Sequence, residues 1–202
     1  MIDIAKNDDE TIVREPAVKK VDDISVLRDI AENDSNSTIS RIASKQVIER
    51  EVEPVNDESV LIDIAKNDSF WYVRGAAVKK INDKSVLIYI AKNDSDYLVR
   101  KRAVEKIIDE SVLIDIAKND SNNKVRREAA KKINNENFLA DTIKNHSDGY
   151  YEAINKIDNK TLLEMVKKDN YLLLDKDILN KLKDSGKIGE IPNAVTVKNS
   201  TD

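Results

Sequence analysis

The sequence predicts an all-α protein, a solenoid built by stacking short helix pairs. Three observations predict it. The first is a repeat: Ser59, Ser85 and Ser111 open consecutive 26-residue segments, SVLIDIAKNDSFWYVRGAAVKKINDK, SVLIYIAKNDSDYLVRKRAVEKIIDE and SVLIDIAKNDSNNKVRREAAKKINNE. A fixed period of this size belongs to repeat architectures, in which each unit buries its apolar face on the next. The second is that apolar residues recur with helical spacing and never in an alternating run. The third is that four Gly and three Pro in 202 residues leave long stretches without breakers.

Each repeat reads as two helices. In the first, Val60, Leu61, Ile62, Ile64 and Ala65 cover about 200° of a helix, which suits a helix flanked on both sides and lying on a second one. Asp63 and Lys66 take the remaining exposed arc. Asn67-Asp68-Ser69 then ends one helix and begins another. Asn67 suits a left-handed C-terminal residue, and Asp68 or Ser69 an N-terminal cap. The second helix carries Val73, Ala77, Val78 and Ile81, a buried face with a small residue at its centre. Asp83 is placed to cap the next first helix. The period also lies in the leucine-rich-repeat range, but the strand-forming pattern of that class is absent.

The pattern extends both ways. Ile30-Ala31-Glu32-Asn33-Asp34 and Ile4-Ala5-Lys6-Asn7-Asp8 match Ile64-Ala65-Lys66-Asn67-Asp68, a further full-period match opens at Asn137 and a weaker one at Lys160. About seven units are expected over residues 1–182. Met1 falls in the Leu61 column, so the first helix is expected to be short, as in a cropped array. Eight extra residues around Ile48 to Val55 separate the second unit from the third and are expected to extend or kink a helix. Their acids Glu49, Glu51 and Glu53 are placed to gate one end of a groove. Residues 183–202 leave the pattern and are expected to form a mobile C-terminal tail.

Composition narrows the function classes. No Cys is present, so disulfides, thiolate metal sites and Cys nucleophiles are excluded. No apolar run approaches the length of a membrane span, and no signal segment opens the chain. The expectation is a cytoplasmic protein without membrane contact. Net charge is −4, so global charge does not argue for nucleic acid. No phosphate-binding loop, dinucleotide fingerprint, nucleophile elbow or calcium loop occurs. The single His146 occupies a turn column and reads as a substituted cap. No enzyme activity, cofactor or metal is expected.

The combination L-x-x-I-A-K-N-D-S-x-x-x-V-R-x-x-A-V-x-K-I resembles HEAT-like repeats, in particular the short leucine-rich-repeat-variant type. That resemblance implies a right-handed superhelix, with first helices convex and second helices concave. It also implies an Asp–Arg ladder between units, carried here by Asp8 and Arg14, Asp68 and Arg74, Asp94 and Arg100, and Asp120 and Arg126. The second unit departs with Ser40 in the Arg column and the sixth with His146 in the Asp column, so the ladder is expected to weaken there. Some proteins of this variant type carry an iron–sulfur cluster, which a chain without Cys cannot.

Function is expected where the repeat departs from itself or faces solvent. On the second helices the Gly75 column reads Glu15, Arg41, Gly75, Lys101, Arg127. The Lys79 column reads Lys19, Lys45, Lys79, Glu105, Lys131, and Lys20, Lys80, Lys106, Lys132 and Lys156 run along the flank. The Asp63 column of the first helices is acidic except at Tyr89. Trp71, Tyr72, Tyr89 and Tyr97 form an aromatic departure in the third and fourth units. Tyr150, Tyr151 and Tyr171 suit a cap on the last core. The expected function is a protein-interaction scaffold. Lys19, Arg41, Lys45, Lys79, Lys101, Arg127 and Lys131 would bind an acidic protein or peptide, and Trp71, Tyr72, Tyr89 and Tyr97 would supply an apolar hot spot. The alternative is nucleic-acid binding in a groove like that of HEAT-like DNA glycosylases, a fold-level analogy.

Overall fold

In the computed structural model, residues 1–168, 172 and 175–190 are described, and the chain divides into two compact units, Met1–Ala103 and Val104–Asp202. The described residues form α-helices joined by short turns, with no strand among them. None of these helices is long and apolar enough to cross a membrane.

The first unit holds α1 (Ile2–Asn7), α2 (Thr11–Val18), α3 (Ile24–Asn33), α4 (Ser37–Glu51), α5 (Glu58–Asn67), α6 (Trp71–Lys80) and α7 (Lys84–Asn93). Helix α8 (Tyr97–Lys106) continues into the second unit, which holds α9 (Glu110–Asn119), α10 (Asn123–Lys132), α11 (Glu136–Lys144), α12 (Tyr150–Lys156), α13 (Asn159–Lys168) and α14 (Lys176–Asp184). In the first unit α1 packs on α2, α3 on α4 and α5 on α6, while α2, α4 and α6 adjoin one another as a second layer. The second unit repeats this with α9 on α10, α11 on α12, and α10, α12 and α14 side by side. Helix α14 runs two residues past the expected start of the tail and is followed by a single 3-10 turn at Ile188–Glu190. The rest of that tail, from 191 on, lies outside the described residues, as does Tyr171.

The first helices begin as the repeat predicts. Asp83 accepts hydrogen bonds from Ser85 N (2.8 Å), Ser85 Oγ (2.6 Å) and Val86 N (3.0 Å). Asp23 and Asp109 do the same in their own repeats, and Asp57 accepts from Ser59 N and Oγ. These bonds, the Ser hydroxyl foremost, hold the four carboxyls below the usual range.

The turn between helices departs from expectation. Asn67 does not take a left-handed conformation. It is the last helical residue and donates to Asp63 at 2.6 Å, while Asp68 follows in extended backbone at φ −62° and ψ 137°. Nor does Asp68 cap the second helix. It accepts from Phe70 N (2.9 Å), and the cap position itself falls two residues later, on Asn36, Phe70 and Asn122. The Asp carboxylate is thereby kept for the ladder.

Neighbouring repeats are bonded side chain to backbone. Glu58 Oε1 accepts from Asn82 N and Asp83 N, and Glu110 Oε1 from Asn134 N and Asn135 N. Lys80 Nζ donates to the carbonyls of Val52 and Glu53, Lys132 to those of Val104 and Glu105, and Lys181 to those of Ile154, Asn155 and Ile157. Each reaches carbonyls at the end of the preceding second helix, where backbone acceptors outnumber backbone donors.

The core is the predicted set of columns. Leu27, Leu61, Leu87 and Leu113 of the first helices are buried, as are Ile39, Val73, Val99 and Val125 of the second. Ile4 and Val13, in the same kind of column, are exposed in the first helix pair, which is covered on one side only.

Candidate functional site: the second-helix surface and its aromatic departure

The Asp–Arg ladder accounts for part of the charge. Arg14 pairs with Asp34 and Arg74 with Asp94, the latter at 2.8 and 2.9 Å. Arg74 also donates to the carbonyls of Asp68 and Ser69, and Arg126 to that of Asp120. Each Arg thus joins its own turn to the next. The expected breaks in the ladder are filled instead. Where Ser40 lacks a guanidinium, Arg28 of α3 reaches Asp68 (2.8 and 3.2 Å) and Glu51 (2.6 Å) together. Where His146 stands in the Asp column, Asp148 takes Arg126 at 2.6 Å. Ordinary columns could not reveal either substitute, because Arg28 sits on a different helix and Asp148 two residues out of register.

The insertion has a structural use. It lengthens α4 to 15 residues. Glu51, on the added turn, binds Arg28; Glu49 lies 3.5 Å from Lys45; and Glu53 offers its carbonyl to Lys80. The expected gate is therefore corrected for Glu51, whose carboxylate is held against Arg28. Both acids raise the Arg28 pKa, the hydrogen bond to Asp68 foremost.

Beside this cluster, Tyr72 departs from its expected place. It is 4 % exposed, with its hydroxyl buried and without a hydrogen-bond partner. Its ring lies 5.6 Å from Phe70, over which Arg28 sits at 4.8 Å. Burial pushes the Tyr72 phenol up to about 12. Tyr72 is a core residue because it is the second residue of a helix whose Tyr72–Val78 stretch is entirely buried, so it supplies no exposed contact.

The remaining aromatics lie in different settings. Trp71, at the start of α6, is 39 % exposed, edge-on to Tyr72 at 6.0 Å and beneath the Arg102 guanidinium at 5.7 Å. Tyr89 is exposed on α7, under Lys66 at 5.1 Å, and lines the cleft that holds Arg74 and Asp94. Tyr97 opens α8 half-buried.

Of the basic residues in the first unit, Lys19, Arg41, Lys45 and Lys79 are exposed and Lys101 is half-buried. Lys19 lies 3.5 Å from Glu15, an exposed pair of the kind worth little. In the second unit Arg127 and Lys131 are exposed, each 3.8 Å from an acid, Asp148 and Glu128. The flanking column is different in kind. Lys80, Lys132 and Lys156 are spent on backbone carbonyls, and burial lowers the pKa of Lys132 and Lys156. Gln46, in the same column, donates to Val18 O in their place. These flank lysines hold the stack together.

Also in the second unit, His146 adopts φ 49°, stacks on Tyr150 at 4.5 Å and sits 4.0 Å from Asp175. Tyr150 is buried and donates to Asp175 at 2.5 Å, whereas Tyr151 is 64 % exposed. Compared with protein-family profiles, curated proteins and solved structures, the chain matches none.

Proposed function

We propose that the chain is a HEAT-like solenoid of about seven repeats, right-handed, that serves as a protein-interaction scaffold. Its second helices bind an acidic peptide or protein surface. The observation that carries this reading is the division of labour among its cations. The ladder arginines and the flank lysines are engaged with carboxylates and backbone carbonyls. Lys19, Arg41, Lys45 and Lys79, in the neighbouring columns, are exposed, with Lys19 and Lys45 held only in exposed pairs with Glu15 and Glu49. Trp71 adds a part-exposed aromatic on that helix layer, and aromatic and Arg side chains are the usual anchors of interfaces.

Selection of displayed random peptides on the full chain tests it. The expected result is enrichment of Asp- and Glu-rich peptides, lost when Arg41, Lys45 and Lys79 are all changed to Glu. Enrichment without acidic bias, or binding indifferent to that triple reversal, overturns the reading. Salt-dependent retention of oligonucleotides in place of peptides favours the phosphate-binding alternative.

A further inference from the structure

We infer that Trp71, Gly75 and Arg102 form one anchor site, in which Arg102 takes a carboxylate of an acidic peptide and Trp71 the apolar side chain beside it. This rests on the proposed function and locates it at one point of the first unit.

All three residues depart from the repeat. The Trp71 column otherwise holds Thr11, Ser37, Tyr97 and Asn123; the Gly75 column holds Glu15, Arg41, Lys101 and Arg127; the Arg102 column holds Pro16, Ile42, Ala76 and Glu128. The departures lie on two different helices, and the fold brings them together. A Cβ at position 75 would stand 2.0 Å from Arg102 Nη1 and 3.1 Å from its Cζ. Glycine in a helix interior weakens the helix relative to alanine. Here it opens the lane along which Arg102 crosses α6 to lie over the Trp71 ring at 5.7 Å. With a Cβ at position 75, the guanidinium would have to leave this position.

What Arg102 does there is unfinished. Arg28, Arg74 and Arg126 are each hydrogen-bonded to a carboxylate. Among the described residues Arg102 donates no hydrogen bond and joins no ion pair. A guanidinium that lies over an aromatic ring without hydrogen-bonding to a carboxylate keeps its N–H fork available, and that fork matches a carboxylate in bidentate fashion. Half-buried and laid in the Gly75 lane, it is held in place before a ligand arrives, which lowers the ordering cost of binding. Trp71, part exposed at the edge of the same guanidinium, offers apolar area to the residue next to that carboxylate. The exposed Lys79 on the same helix adds positive potential. A carboxylate beside an apolar side chain is the chemistry of an acidic peptide.

Trp71 is the one tryptophan of the chain, so its fluorescence reports on this site alone. The full chain is titrated with a short peptide of alternating Glu and Leu, with its Gln-for-Glu counterpart, and with oligo-dT. Peptide binding is followed in parallel by anisotropy of a labelled copy. The expected result is a saturable change of Trp emission with the Glu peptide and none with the Gln peptide. Arg102→Ala and Gly75→Ala should each weaken it by about tenfold or more. Gly75→Ala keeps every charge and only displaces Arg102. Arg102→Lys, a point charge without the fork, should recover part of the binding. Should Gly75→Ala disturb folding by circular dichroism, Arg102→Gln gives the same test at the half-buried residue itself. Unchanged Trp emission with the Glu peptide, full binding by Arg102→Ala, or a response to oligo-dT alone overturns the anchor. If anisotropy shows binding that survives Arg102→Ala but is lost on charge reversal at Arg41, Lys45 and Lys79, the scaffold stands and the anchor falls. If acidic peptides bind in neither assay, the scaffold reading falls as well.

Discussion

Helices α5 and α9 share one sequence, ESVLIDIAKN, but not one environment. Two sets of side-chain hydrogen bonds match to within a tenth of an ångström. Asn67 donates to Asp63 at 2.6 Å and Asn119 to Asp115 at 2.7 Å. Glu58 and Glu110 each accept from the next turn at 2.6 and 3.0 Å. Burial diverges. Leu61 and Leu113 are equally covered, but Ile116 is 4 % exposed whereas Ile64 is only half-buried, and Val60 is 44 % exposed. The second helices that follow diverge further. Helix α6 is buried from Tyr72 to Val78, while α10 buries Val125, Ala129 and Ala130. The ten repeated residues therefore specify caps, bonds and turn, and the neighbours decide how much each side chain is worth.

The largest expected effect tests this at the ladder. Arg74→Ala leaves Asp94, whose side chain is 6 % exposed, without its cation and should cost about 3–5 kcal/mol. Arg126→Ala should cost less than half of that, because its side chain and that of Asp148 are 28 % and 22 % exposed. Urea unfolding of both variants checks it; equal losses would break the comparison. Next come the identical helices themselves. Ile116→Ala should cost about 3 kcal/mol and Ile64→Ala about 1, although the two residues sit in the same ten-residue sequence. Equal costs would show that burial in these helices follows local sequence after all.

A smaller effect concerns the substitute at the insertion. Arg28→Ala should cost about 2 kcal/mol, since its side chain is 21 % exposed and binds two acids. Adding Ser40→Arg to that variant should restore part of the loss, by returning the ladder cation to the column where the repeat elsewhere has it. Thermal melts of the single and double variants measure the recovery. No recovery would mean that the longer α4 has moved Asp68 out of reach of that column.

The smallest effect is acid sensitivity. The caps Asp23, Asp57, Asp83 and Asp109 have carboxyls held below the ordinary value of 3.8. A lowered folded-state pKa contributes stability that is present above the unfolded value and lost as pH falls through the folded one. Stability should therefore decline below pH 3.8, and Ser59→Ala, which removes the main bond to Asp57, should flatten that decline. A pH series of melting temperatures reads the slope; an unchanged slope in Ser59→Ala would remove the cap from the account.

Much of the fold was legible in the residues. The paired helices, the Asp83-type caps and the buried Leu and Val columns follow from spacing and capping chemistry. The candidate site was legible in part. Exposed Trp71, Lys19, Arg41, Lys45 and Lys79 are where the columns put them. Tyr72 was misread because a residue at a helix start looks exposed until a neighbouring helix covers it. The carbonyl-binding role of Lys80, Lys132 and Lys156 was not legible, because a solvated lysine and one bound to carbonyls of the previous repeat occupy the same column. Arg102 was missed because nothing in its own segment marks it; only Gly75, 27 positions earlier, gives it a path to Trp71.

By itself, then, the sequence determined what depends on bonds within one turn or between adjacent turns of the repeat: helix starts, helix ends, the period and the apolar faces. These are short-range, and residues of the same or the adjacent repeat satisfy them. The tertiary structure decided which cation meets which acid when a column fails, as Arg28 does for Ser40 and Asp148 for His146. It also decided which side chains are covered and where departures from separate helices converge. Such outcomes depend on distances across the stack, and a column of letters carries no distance.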